Sequence, residues 1–150
     1  MANETGIPAG ARDRRRVFDG AKAALFLGAQ IAVLQRDDIP TIPFPGLWDM
    51  PGGGRDPGES PLECVIREAR EELSLALSPE DFHYARPYLE KTGLEVWYFA
   101  ARLAPERVPE IRLGDEGQGW ALMTPEAYLA HPLRIPPLAG RLADYLRRQG

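Results

Sequence analysis

The stretch "GGGRDPGESPLECVIREAREELSL", Gly52 to Leu75, decides the reading of this chain. It opens on glycines, passes a Pro/Gly-rich turn and then acquires helical periodicity. Ser60 suits an N-cap, Pro61 the first helical position, and Glu63, three residues after the serine, completes a capping box. A helix is therefore predicted from Pro61 onward. Leu62, Val65, Ile66, Ala69 and Leu73 recur at three- and four-residue spacing and form its buried stripe. Each helical residue turns about 100°, so Glu72 lies about 40° round from Glu68, and Glu71 about 60° round on the other side. Three carboxylates share one flank of the helix. Like charges at these spacings destabilise an isolated helix by roughly 0.2–0.5 kcal/mol per pair, so water, counterions or a bound cation must compensate.

Upstream, "GAKAALFLGAQIAVLQR", Gly20 to Arg36, holds two short apolar segments around Gly28, a strand, turn and strand signal. The following "DDIPTIPFPGLWDMPGGGRDPGES" is too rich in Pro and Gly for a helix or a central strand, and is expected to be a loop with a short extended piece at Leu47 to Met50. Long ordered loops in compact domains tend to be functional. Downstream, "SPED" at Ser78 to Asp81 signals a short turn, and "HYARPYLEKTGLEVWYFAARL" reads as two strands joined near Thr92 and Gly93. The Gly-rich "GDEGQGW", Gly114 to Trp120, feeds another strand through Leu122. Thr124 and Pro125 open a short helix, and Pro136 and Pro137 precede a last one with Leu138, Leu142, Tyr145 and Leu146 on its apolar face. Strands on both sides of one strong helix, with a helix at the end, give an α+β or layered α/β/α domain.

The bulk numbers fit one globular domain: 150 residues, 44% hydrophobic and 27% charged. A net charge of -4 argues against a dedicated nucleic-acid binder, though not against a small phosphate-bearing ligand accompanied by a metal. Cys64 is the lone cysteine, which excludes an intrachain disulfide and reads as a small helical residue rather than a nucleophile. No apolar run approaches the roughly 20 residues of a membrane span, and the start lacks the apolar core of a secretion signal, so no membrane partner and a cytoplasmic location are expected. Residues 1–16, polar and ending in Arg12, Arg14, Arg15 and Arg16, read as a flexible arm ahead of a domain over 17–150. His83 and His131 have no ligand-like spacing.

Gly53, Glu59, Arg67, Glu68, Glu71, Glu72 and Leu75 together resemble the Nudix box, G-x5-E-x7-R-E-U-x-E-E-x-G-U, where U is a bulky aliphatic residue. Fixed glycine, acid and arginine positions at set spacing are far more specific than a glycine-rich loop alone. Two positions depart from the pattern: Ala69 stands for a larger aliphatic residue, and Ser74 for the glycine after the helix. Ser74 must either adopt a left-handed conformation or let the helix run on.

The resemblance implies a Nudix fold, a mixed sheet between helices, and a hydrolase using Mg²⁺, with Mn²⁺ as a substitute. Oxygen donors on a rigid helix suit Mg²⁺, which binds through a few carboxylates and the substrate's own phosphates. It further implies that Glu68, Glu71 and Glu72 face the metals, that the Gly52 carbonyl adds a ligand, and that Arg67 orients the site by pairing with Glu59 or Glu71. In MutT-type members an "EGQ" before a Trp-bearing strand supplies another metal-binding glutamate, matched here by Glu116. The general base varies within the family, with Glu68 the first candidate here and Glu116 the second. Arg36 sits where MutT-type enzymes hold the nucleotide, and Trp48 and Asp49 stand beside Gly53 where they could border a base or sugar pocket. The "PPLA" at Pro136 to Ala139 lacks the asparagine that reads oxidised guanine in that branch. The proline or tyrosine markers of the ADP-ribose and dinucleoside-polyphosphate branches are missing from Glu90 to Gly93. The expected substrate is a small nucleotide, foremost a nucleoside triphosphate, oxidised or not. An ADP-ribose or nucleotide-sugar pyrophosphatase and a non-catalytic nucleotide-binding module are the alternatives, and a homodimer is compatible with all three.

Overall fold

The computed structural model describes residues 6–149. Its strands are β1 (Gly20–Leu27), β2 (Gln30–Gln35), β3 (Trp48–Asp49), β4 (Gly52–Gly54), β5 (Phe82–Leu89), β6 (Glu95–Leu103) and β7 (Gly119–Met123). The helices are α1 (Pro61–Leu73), α2 (Pro125–Ala130) and α3 (Pro136–Gln149). The strands form one seven-stranded sheet with the path β3-β2-β1-β6-β5, to which β4 adds on β1 and β7 on β2. β1 and β6 run parallel over their full length, and the other pairs are antiparallel, so the sheet is mixed.

Both faces of β1 are covered, which explains its almost unbroken apolar run. Ala21, Ala23, Leu25 and Leu27 join the core that packs under Leu62, Val65, Ala69 and Leu73 of α1. Ala24 and Phe26 join the opposite core, with Tyr98, Tyr128 and the α3 residues Leu138, Leu142 and Tyr145. The layered α/β/α arrangement expected from the sequence follows. Lys22, in register with Ala24 and Phe26, is the one charged residue of β1, and its partner across the β1–β4 pair is Gly52.

α1 begins as its residue types dictate. Ser60 Oγ accepts from the Glu63 amide at 3.2 Å while the Glu63 carboxylate accepts from the Ser60 amide at 2.9 Å. At the other end Ser74 takes the left-handed conformation, φ 61° and ψ 22°, its amide donating to Arg70 O and its hydroxyl to Arg112 O. Of the two alternatives for Ser74, the chain adopts the left-handed cap. Cys64 is buried against β4, its thiol 3.5 Å from Gly53 O. Burial, aided by nearby carboxylates, pushes that thiol up to about 12, so it packs rather than reacts.

Residues 6–16 of the expected flexible arm make contacts with the domain. Residues 1–5 lie outside the described residues, but Ile7 and Ala11 are fully buried in the α1-side core. Arg14 reaches Glu63 at 2.7 Å, and Arg16 pairs with Glu95 at 2.8 Å while lying over the Trp97 ring. Two apolar side chains spread through a polar string suffice to dock the segment; the exposed Arg14 pair adds little. β4 is also an addition to the expected elements.

Candidate active site

Arg67 holds the box together. Its Nε donates to Glu59 at 2.7 Å, one terminal nitrogen donates to Glu68 at 2.9 Å and Glu71 at 3.0 Å, and the other donates to Gly54 O at 2.8 Å. It pairs with both Glu59 and Glu71, which the sequence offered as alternatives. A planar guanidinium with five N–H donors can serve all four acceptors, whereas an ammonium cannot. Burial alone would raise the Glu59 carboxyl, but the Arg67 hydrogen bond and the Asp56 amide hold it below its usual value.

The glutamates of α1 part company. Glu71 is largely exposed and turns to Arg67. Glu68 is mostly buried and lies against Gly53, where an added Cβ would come within 2.6 Å of its carboxylate. Glu72 turns inward and accepts from the Gly52 amide at 2.7 Å. Desolvation dominates there and raises its carboxyl to about 7, partly opposed by the positive charge of Lys22 and by the Gly52 hydrogen bond. Gly52 has φ 136°, and a Cβ on it would stand 2.0 Å from Ala21 O, so only glycine brings this backbone onto β1. Its carbonyl accepts from Lys22 Nζ at 2.9 Å.

Asp49 is buried and bridges two cations, accepting from Lys22 at 2.9 Å and from Arg36 at 2.9 Å. Arg36 also donates to Pro43 O, and the loop after it is tied to the Glu116 segment through Gln118 Nε2 to Arg36 O and the Gly117 amide to Asp37. Arg36 and Asp49 therefore stand between two cavities. One, of about 140 Å³, is lined by acids, Glu72, Glu116, Asp37 and Asp49, beside Arg36. The other, of about 260 Å³, is lined by Lys22, Arg36 and Arg141 and by Asp19, Asp49 and Glu90, with Phe44, Ile135 and Leu138 as its apolar wall. Gly53 lines this second cavity.

The structure thus brings Glu72, Glu116, Asp49 and Arg36 together, and gathers Glu59, Glu68 and Glu71 on Arg67. Trp48 belongs elsewhere: its ring packs on the α2–α3 side, edge-on to His131 at 6.2 Å, and its carbonyl accepts from Tyr128 OH. Neighbours in a strand face opposite ways, so Asp49 reaches the cavities and Trp48 the core. Lys22, Phe44 and Arg141 are site residues that the sequence reading passed over. A lone lysine in "GAKAALFL" was a signal for the first; nothing local marks the other two.

Among the described residues, no three acidic, His or Cys side chains converge closely enough to hold a metal ion as they stand. The donor set nevertheless suits a hard cation. Glu68, Glu72, Glu116 and the Gly52 carbonyl are all oxygen donors, and the side-chain-free Gly52–Gly53 backbone lies directly against Glu68 and Glu72.

The model of the NUDIX domain matches residues 18–146. The chain belongs to the Nudix family. A putative 8-oxo-dGTP diphosphatase of Bacillus subtilis (strain 168) is 45% identical over 60 residues, which cover 39% of this chain and 36% of that protein. The nucleoside triphosphatase NudI of Salmonella arizonae is 30% identical over 104 residues, 61% of this chain and 72% of that one. The Bacillus match thus spans little more than a third of that relative. In fold, the MutT protein of Methanosarcina mazei Go1 superposes with a TM-score of 0.68 at 20% identity, covering 90% of this chain and 97% of that one.

Proposed function

We propose that this Nudix protein is a divalent-metal-dependent pyrophosphohydrolase that cleaves a nucleoside diphosphate linked to another group, with nucleoside triphosphates, oxidised or not, as the leading substrates. The observation that carries it is the pair of adjoining cavities, one acid-lined and one with charges of both signs and an apolar wall, that share Arg36 and Asp49. The acid-lined side takes the diphosphate and its cations; the other accepts the nucleoside against Phe44, Ile135 and Leu138. Glu68, Glu72, Glu116 and the Gly52 carbonyl would hold Mg²⁺ or Mn²⁺, with Glu71 reached after a change of rotamer. When bound, such ions neutralise phosphate charge and lower the pKa of a coordinated water. The chain's own residues do the rest. Arg67, fixed by Glu59 and Gly54 O, sets the direction of Glu68 and Glu71. Arg36, clamped by Asp49 and Pro43 O, presents its guanidinium to the nucleotide. Glu68, flush with Gly53, is the first candidate to take a proton from the attacking water, and Glu116 the second. The activities for which the relatives are named, 8-oxo-dGTP diphosphatase and nucleoside triphosphatase, support the nucleotide class.

No helix among the described residues is long and apolar enough to cross a membrane, and a reduced, buried Cys64 is compatible with action in the cytoplasm. The test is product release, in Mg²⁺ and in Mn²⁺, over nucleoside triphosphates, 8-oxo-dGTP, ADP-ribose and nucleotide sugars, with Glu68→Gln in parallel. Preferred cleavage of triphosphates, lost in the variant, supports the proposal. Preference for ADP-ribose or a nucleotide sugar replaces the substrate class, and tight nucleotide binding without turnover makes the chain a binding module.

A further inference from the structure

The box glutamates and the Gly52 carbonyl, which the family pattern assigns to a metal together with Glu116, each have a partner within this chain. Glu68 and Glu71 are held by Arg67, Glu72 by the Gly52 amide, and the Gly52 carbonyl by Lys22. The two cations are not equivalent. Arg67 is pinned by Glu59 and Gly54 O as well, and removing it would leave several acids unpaired. Among the described residues Lys22 holds only Asp49 and Gly52 O, and Asp49 is already matched by Arg36. Its ammonium can therefore leave the carbonyl without leaving a carboxylate unpaired. It also has somewhere to go, since Lys22 lines the larger of the two adjoining cavities. On β1 it sits opposite Gly52.

We propose that Lys22 is an exchangeable counter-cation: its ammonium holds the Gly52 carbonyl while the site is metal-free, and gives up that oxygen when a divalent ion binds, turning into the adjoining cavity at its junction with the acid-lined one, where the substrate's phosphates meet its nucleoside. This rests on the metal-dependent function proposed above. It makes Lys22 a positioning residue that links metal loading to substrate charge. A unit positive charge a few ångströms from an incoming divalent ion opposes its binding.

The experiment is a Mn²⁺ titration of the intact protein followed by electron paramagnetic resonance at pH 8 without nucleotide, comparing wild type with Lys22→Met, Lys22→Gln and Lys22→Arg. Thermal melts of all four check the fold. The neutral variants should bind Mn²⁺ about tenfold tighter or more, and Lys22→Arg should not. In saturating metal, the neutral variants should bind a non-hydrolysable nucleoside triphosphate analogue about tenfold more weakly. On wild type alone, the Lys22 Cε and Nζ resonances should move on Mg²⁺ addition. Unchanged or weaker Mn²⁺ binding by the folded neutral variants, or stationary Lys22 resonances in metal-saturated protein, overturns the proposal. Wild type that binds no Mn²⁺ removes the metal-dependent function itself, and Lys22's role with it.

Discussion

Glu72→Gln should make the metal-free protein more stable while stopping its chemistry. The Glu72 carboxyl is raised to about 7 from the ordinary 4.5, chiefly because it is desolvated beneath Gly52. Between those values the folded chain binds more protons than the unfolded one, so stability falls as pH rises from about 4.5 through about 7. Each pKa unit corresponds to about 1.4 kcal/mol, so the ionised carboxylate costs the fold on the order of 3 kcal/mol above pH 8. A glutamine keeps an oxygen to accept from the Gly52 amide and removes that cost. In a chelating buffer at pH 8.5 the variant should therefore melt higher, by roughly 2–4 °C per kcal/mol for a domain of this size. At pH 4, where wild-type Glu72 is protonated, the two melting temperatures should nearly coincide. Thermal unfolding by circular dichroism at several pH values reads both. Equal melting temperatures at all pH values, or a variant less stable at pH 8.5, would refute the claim that Glu72 is held as a strained anion for a cation to relieve.

The other expectations concern neighbouring parts of the same site. Arg67→Ala should lower stability by about 2–3 kcal/mol by leaving the mostly buried Glu59 and Glu68 unpaired, and Arg67→Lys should restore little of the lost turnover, because one ammonium cannot reach all four acceptors; denaturant melts and rate assays check both. Gly53→Ala pushes only a movable carboxylate, so melting should change little while turnover drops about a hundredfold, whereas Gly52→Ala drives a methyl into the Ala21 backbone and should cost more than about 3 kcal/mol. Ser74→Gly relieves a left-handed serine and should raise stability by about 0.5–1 kcal/mol, less whatever the hydroxyl bond to Arg112 O contributes, measured by urea unfolding.

What the sequence made legible was whatever depends on residue type and spacing along the chain. Ser60, Pro61 and Glu63 define the start of α1 through local hydrogen bonds, and the apolar stripe tells which face is buried. The box spacing places Glu68, Glu71 and Glu72 on one helix flank, and in the structure Glu72 lies against Gly52 and Glu68 against Gly53. Tertiary packing decided the rest. Periodicity could not show that Glu72 turns inward while Glu71 turns out to Arg67. Three glycines carry no strand propensity, so β4 exists only because β1 lies within reach of its backbone. Ile7 and Ala11 dock a segment whose composition reads as a solvated arm, since two buried side chains are too few to set a pattern. Phe44 and Arg141 enter the larger cavity from a loop and a helix about a hundred residues apart, and no local signal joins them.

The most direct measurement is the ³¹P spectrum of a nucleoside triphosphate incubated with the protein and Mg²⁺, with and without excess chelator. Hydrolysis at this site should yield the nucleoside monophosphate and pyrophosphate, only while the metal is free to bind. Release of orthophosphate with the diphosphate left behind, or cleavage that persists in chelator, would contradict it.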